Sequence, residues 1–187
     1  MQTIPAVLDQ RRAITQVLLV IAGSAIIAIA AQIALPIPFT PVPLTMQPLA
    51  VLMVGIALGS RRGAAAAALY LLEGASGLPV FAQGHGGALW LAGPTAGYLL
   101  SYPFAAFVAG WFSERGWGST IVRALAGMLT ALAVIYAGGW VWLAMLSGPR
   151  AALSMGIIPF VAADIVKVMF GAAILPYAQR LIARTDA

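Results

Sequence analysis

From Ile14 to Leu35 the chain runs 22 residues without a charge, and runs of similar character recur as far as Leu175. At about 1.5 Å of rise per residue, roughly 20 apolar residues cross the hydrocarbon of a bilayer. No water is available there to satisfy backbone N–H and C=O groups, so such runs fold as helices that pair these groups internally. Composition supports this choice of solvent, since 62% of residues are apolar and 8% charged, outside the range of soluble domains. The chain is therefore read as an all-α integral membrane protein. Its 187 residues suit six spans with short loops, a single transmembrane domain over residues 1–187 with nothing left for a separate soluble domain. Cysteine is absent, which excludes disulfides and thiolate chemistry.

The first span covers Ile14 to Leu35 and follows Arg11 and Arg12. It exceeds the roughly 7–15 residues of a signal-peptide core, and the chain after it stays apolar, so it is read as a span rather than a leader. A second span runs from Leu44 or Pro48 to Leu58, and a third from Gly63 to Leu72, extended into the following loop. The fourth covers Gly97 to Phe112, the fifth Thr120 to Met145, and the sixth Gly156 to Leu175, ending near Pro176.

Six spans place both termini on one side, and Arg11, Arg12, Arg61, Arg62, Arg115, Arg123, Arg180 and Arg184 then share that side. Cytoplasmic loops carry the excess of Lys and Arg, so that side is the cytoplasm, the membrane is the inner (plasma) membrane, and lipid is the surrounding partner. Arg150 is left for the opposite face. The net charge of +5 thus reports topology, and no nucleic-acid partner is expected.

Asp164 and Lys167, the chain's one lysine, interrupt the sixth run. A charge at the middle of a span costs about 2.5–3.5 kcal/mol by insertion scales, so each needs a partner. Their i, i+3 spacing puts both on one helix face, which must look into protein or a polar cavity. They are either a self-neutralising pair or a cation and an acceptor lining a site for a small polar or anionic molecule.

Two loops assigned to the outer face are apolar where loops are normally polar. Leu35 to Leu49 contains Pro36, Pro38, Pro41, Pro43 and Pro48, which favour stiff extended backbone over helix. Leu72 to Thr95 contains six glycines and one acid, Glu73. Such loops are expected to fold into the outer mouth of the bundle, where non-helical backbone is tolerated if it lines a cavity; the alternative is a re-entrant turn or hydrophobic plug.

Other signals carry less. No phosphate-cradling GxxxxGK sequence is present, so the chain does not hydrolyse ATP by that route. Gly74 to Gly77 spell GASG, similar to the serine motif of rhomboid intramembrane proteases. Those enzymes need a histidine on a late helix, whereas His85 lies nine residues from Ser76 in the same loop. A lone histidine without carboxylates or thiols beside it makes no metal site. The chain is read as a non-enzyme without metal or cofactor. Small residues spaced by four, such as Gly55 with Gly59 and Gly93 with Gly97, allow close helix contact.

The stretch LPIPFTPVPLTMQ beginning at Leu35, the strings GLPVFA from Gly77 and GPTAGYL from Gly93, and the D-x-x-K pattern at Asp164 and Lys167 together resemble the BioY family over the whole chain. The resemblance implies a six-helix S component of an energy-coupling factor transporter, which captures biotin from the outer side. Its implied partners are a transmembrane T component and a pair of ABC-type ATPases, and biotin is the transported ligand. Some members of the family work without that module.

A biotin cavity needs a cation, hydrogen-bonding groups and apolar walls. Lys167 and Asp164 supply the charges, and Gln83 a donor and acceptor. Trp90, Tyr98 and Phe81 are candidate walls, with Thr45, Gln47 and Thr95 ordering the loops or reaching the ligand. Ser24, Ala28, Ala30 and Ala34 on the first span are expected to face the partner, because small side chains let helices approach. A stand-alone facilitator or secondary transporter is the rival reading, but it commonly carries an internal repeat, and none is evident. A purely structural subunit would need no ligand site.

The charge pattern makes a direct forecast: Arg61, Arg62 and Arg115 are cytoplasmic, while Gln83 and Arg150 face outward. Single cysteines introduced at positions 61 and 83 should label from opposite sides of the membrane. Labelling of both from one side overturns the six-span topology.

Overall fold

A computed structural model describes the backbone of residues 4–185 and the side chains of residues 12–177. Arg11, Arg180 and Arg184 of the cation pattern lie outside the described side chains. The fold is nearly all helical, in the order α1 (Ile4–Gln32), α2 (Gln47–Leu58), α3 (Ser60–Ala75), α4 (Ala96–Glu114), α5 (Ile121–Ser147), α6 (Pro149–Gly156) and α7 (Ile158–Thr185). By length and composition, the Arg12–Gln32 part of α1, all of α5 and the Ile158–Tyr177 part of α7 can each cross a membrane. Helices α2 and α3 are about 18 and 24 Å long, short of a hydrocarbon core of about 30 Å.

Helix boundaries depart from the hydropathy reading where a tertiary contact supplies what hydropathy does not see. The third span begins at Ser60, not Gly63, and takes Arg61 and Arg62 into its first turn. Gly59, at φ +83°, turns the chain between α2 and α3. The Ser60 N–H then donates to Glu114 Oε1 at 2.7 Å, and its hydroxyl donates to both carboxylate oxygens. A carboxylate from the end of α4 thus caps the start of α3, satisfying a donor that no residue of the helix can reach. The Ser60 N–H, then its hydroxyl, hold the Glu114 carboxyl below the usual carboxylate range, with Arg115 and Arg61 assisting. At the sixth run, the chain breaks at Ile157 between the short α6 and the long α7.

Small residues share the interior with large ones such as Tyr70 and Phe81, and many large apolar side chains face outward. Ala31, Ala66, Ala67, Ala105, Ala106 and Ala131 are fully buried, while Phe104, Val122 and Ile29 are among the exposed side chains. Lipid is as apolar as leucine, so helices gain by close van der Waals approach through small residues. Helix α4 occupies the centre and packs on α2, α3 and α5. Gly55 of α2 is wedged there: a Cβ would collide with the Ala106 backbone of α4, and a Cβ on Gly63 of α3 would lie 2.6 Å from the Gly55 Cα.

The first span ends as helix at Gln32, and Ala34–Leu35 forms β1 instead, pairing antiparallel with β2 (Leu44–Thr45). Ala34 is therefore not on a helix face. Ser24 is fully buried and donates its hydroxyl to Glu73 Oε2 of α3, which corrects its placement on a partner face. A serine in an apolar helix turns inward wherever a buried acceptor is in reach. Ala28 and Ala30 are half-buried on α1.

The two glycines of similar sequence context separate by experiment. Gly55→Ala should lower stability by about 1–3 kcal/mol through overpacking. Gly93→Ala should leave it within about 0.5 kcal/mol, since its Cβ would meet its nearest neighbour, the Trp90 carbonyl, at 3.4 Å. Thermal unfolding of the two variants in detergent measures the difference.

Candidate functional site

The proline-rich segment between α1 and α2 and the glycine-rich segment between α3 and α4 both fold over one end of the bundle, held by side chains from elsewhere. The Thr40 hydroxyl donates to the Met155 carbonyl at 2.6 Å. Gln32, at the end of α1, donates to the Val80 and Phe81 carbonyls and accepts from the Gly84 N–H. Between these loops and helices α2, α4, α5 and α7 lies a cavity of about 50 Å³. A water molecule needs about 10–15 Å³ on this measure, so the cavity has room for roughly four.

Its floor is polar and paired. Asp164 of α7, 4% exposed, accepts from the Tyr136 hydroxyl of α5 at 2.7 Å and from Lys167 Nζ at 2.6 Å. Lys167 Nζ also donates to the Thr45 carbonyl at 2.7 Å, although 122 residues separate the two. The Thr45 hydroxyl donates to Gln47 Oε1, and Gln47 Nε2 donates to the Tyr70 hydroxyl at 2.6 Å. A buried ion pair survives at low dielectric when further hydrogen bonds satisfy its remaining groups, and each of these partners serves that end.

Six of the nine ligand residues expected from sequence line the cavity: Thr45, Gln47, Trp90, Thr95, Tyr98 and Asp164. Three do not. Lys167 stands behind Asp164 and braces it. Phe81 is fully buried, its ring edge-on to Tyr70 with 5.6 Å between centroids, in space left by Gly74. Gln83 sits in the left-handed region at φ +61° with its side chain exposed. Trp90 is stacked on His85 with centroids 4.1 Å apart, while His85 Nδ1 bonds the Ala82 carbonyl and Ser76 donates to the Glu73 carbonyl. Ser76 and His85 thus each engage other groups, and no serine–histidine pair forms.

Sequence reasoning missed Tyr102 and Tyr136. Thr95, Tyr98 and Tyr102 recur at i, i+3, i+7, which marks one face of α4, and Tyr136 is a polar residue in the middle of an apolar run. Both signals were available. The Tyr98 hydroxyl donates to the Gly156 carbonyl at 2.7 Å. Among the described residues the Tyr102 hydroxyl has no hydrogen-bond partner and borders the cavity, on a side chain 4% exposed. The oxygen is reached from the cavity, so a ligand atom placed there can take the hydrogen bond that the protein leaves open. The site can therefore take a small, largely apolar molecule with hydrogen-bonding groups that meet a carboxylate and a phenol.

Residues 3–184 match the model of the BioY family. A biotin transporter BioY of Rhizobium etli is 41% identical over 142 residues, covering 72% of this chain and 76% of that protein. Another of the same name from Thermotoga maritima is 40% identical over 152 residues, covering 81% and 88%. A crystal structure of the S-component for biotin from an ECF-type ABC transporter superposes with a TM-score of 0.79 at 24% identity, covering 91% of this chain and 93% of that one. At that identity the likeness concerns the fold.

The two tyrosines should respond oppositely to loss of the hydroxyl. Tyr136→Phe removes a donor from a buried carboxylate and should lower stability by about 1.5–3 kcal/mol. Tyr102→Phe removes an unpaired group and should leave the ligand-free protein within about 0.5 kcal/mol of the wild type, or stabilise it. Thermal unfolding without ligand reads both.

Proposed function

The chain belongs to the BioY family, and from that membership and the chemistry of the cavity we infer that it is the biotin-binding subunit of a membrane transporter. Its work is transport, not catalysis, as the names of its relatives state of those proteins. The observation that carries the assignment to the cavity is the buried Asp164 carboxylate facing a small, aromatic-walled space.

Biotin presents a ureido ring with two N–H donors and one acceptor, a thioether ring and an aliphatic acid chain. Asp164 accepts from the ureido N–H groups, a charge-assisted hydrogen bond stronger than a neutral one. Trp90, Tyr98 and Phe160 enclose the rings, and the free Tyr102 hydroxyl meets a polar atom of the ligand. Lys167 orients Asp164 and fixes the Thr45 carbonyl. Room for about four waters is less than biotin occupies, so entry displaces the part of the proline-rich segment before β2, which the Thr40 hydroxyl ties to the Met155 carbonyl, while Lys167 keeps Thr45 in place. This loop is the lid, on the outer face of a six-span chain with both termini in the cytoplasm of a plasma membrane.

No nucleotide-cradling sequence is present, so energised uptake draws on a T component and ABC-type ATPases. Uptake with and without those partners separates this reading from a stand-alone carrier.

Saturable binding of labelled biotin to the purified chain tests the function itself. Lys167→Ala and Asp164→Asn should each weaken it at least about tenfold, the loss of one buried charge-assisted contact of about 1.5–3 kcal/mol. If the pair merely neutralises itself, a double change to neutral residues restores stability and binding together. Near-normal biotin affinity in a well-folded double variant would sink the site assignment.

A further inference from the structure

A second recess, of about 580 Å³, opens at the end of α4 opposite the cavity, where the α2–α3 turn meets α4 and Gln16 of α1 forms the far wall. Arg61, Arg62 and Arg115 border it. Arg115 is held over Trp111, its guanidinium carbon 3.5 Å from the ring centroid, and donates to the Trp111 carbonyl at 3.2 Å. Arg61 and Arg62 are exposed and close no ion pair among the described residues. Glu114 also lines the recess, but both of its oxygens already accept from Ser60. Three cations therefore face one carboxylate that is already hydrogen-bonded.

The recess continues into an apolar track. Leu100, Phe104, Phe107 and Trp111 are 41%, 67%, 42% and 38% exposed. Their intervals of four, three and four residues place them along one face of α4, over about 16 Å of helix. The track ends at the arginines. A free anion has no use for such a track, and an extended peptide laid along it would leave backbone groups unpaired against phenyl rings in hydrocarbon. A molecule with an anionic head and an alkyl tail fits both parts. Arginine forks match phosphate geometry, and basic recesses between helices at the cytoplasmic interface take lipid headgroups.

We propose that this recess binds an anionic phospholipid of the cytoplasmic leaflet, its phosphate among Arg61, Arg62 and Arg115 and an acyl chain along Leu100 to Trp111. The inference needs the chain to be in a membrane but is independent of what the central cavity binds.

The full chain, purified in a neutral detergent, is titrated with phosphatidylglycerol, phosphatidylcholine or inorganic phosphate, with bound lipid counted by native mass spectrometry and stability followed by thermal shift. Phosphatidylglycerol should be retained and raise the unfolding midpoint, with phosphatidylcholine weaker and inorganic phosphate without effect. Each arginine near an anionic headgroup is worth a factor of about five, so Arg61→Gln with Arg62→Gln should weaken phosphatidylglycerol about twenty-five-fold. The same pair changed to lysine should keep most of the affinity. Arg123→Gln, a cation at the start of α5 away from the recess, should change it less than about twofold. An unaltered midpoint of the glutamine variant without lipid shows that it folds. Equal loss from Arg123→Gln would reduce the effect to general surface charge. Equal binding of phosphatidylcholine, or a midpoint shift with inorganic phosphate, overturns the headgroup assignment. Retention of phosphatidylglycerol by the glutamine variant with loss of co-purification with other transporter subunits would make the recess a protein interface.

Discussion

The ammonium of Lys167 ties the last helix by hydrogen bonds to its own Asp164 and to the distant β2 strand. It reaches Asp164 on its own helix and the Thr45 carbonyl 122 residues earlier, at 2.6 and 2.7 Å. From Thr45 the chain of polar contacts continues through Gln47 to Tyr70, so α7, β2, α2 and α3 share one hydrogen-bonded ladder. In hydrocarbon an unpaired member of such a ladder has no water to turn to. The ladder is therefore held as a unit, and it forms the polar floor on which the cavity rests.

Around that floor, small residues set the geometry. Helix α4 can carry the Thr95, Tyr98 and Tyr102 face into the cavity because Gly55 and Ala106 let α2 approach it on one side and Gly97 and Gly138 let α5 approach on the other. The two loops above are attached differently. Thr40 and Gln32 hold them by side-chain hydrogen bonds to backbone groups, and a loop held this way opens at less cost than a pair of interlocked helices. Rigid walls with a separable cover suit a protein that must admit a ligand and then enclose it.

Much of this was legible in the residues. The apolar runs located the inner helix ends to within a few residues, Glu114 moving the start of α3 from Gly63 to Ser60, but α1 begins at Ile4, ten residues before the uncharged run, and α7 continues to Thr185, ten residues past Leu175. The D-x-x-K spacing anticipated the pair on one face of α7, and the proline and glycine loops were read as parts of the cavity, whose wall they supply. Phe81 and Gln83 were misplaced because irregular backbone has no period from which side-chain direction can be inferred. Ser24 was read as a small residue fit for a partner's helix, but its hydroxyl made it the partner of Glu73.

What the sequence by itself determined is the solvent and its consequences: helices, a buried ion pair that needs partners, and small residues wherever helices meet. These follow from local composition and spacing, since a bilayer penalises each uncompensated polar group wherever it occurs. Tertiary structure alone decided that Lys167 braces the wall while Asp164 lines it, that Tyr102 keeps a free hydroxyl in the cavity, and that Ser24 turns inward. Each of those outcomes depends on a neighbour brought close by packing, such as Thr45 beside Lys167 or Glu73 beside Ser24. Local spacing carries no record of such neighbours, because they are set by how whole helices cross.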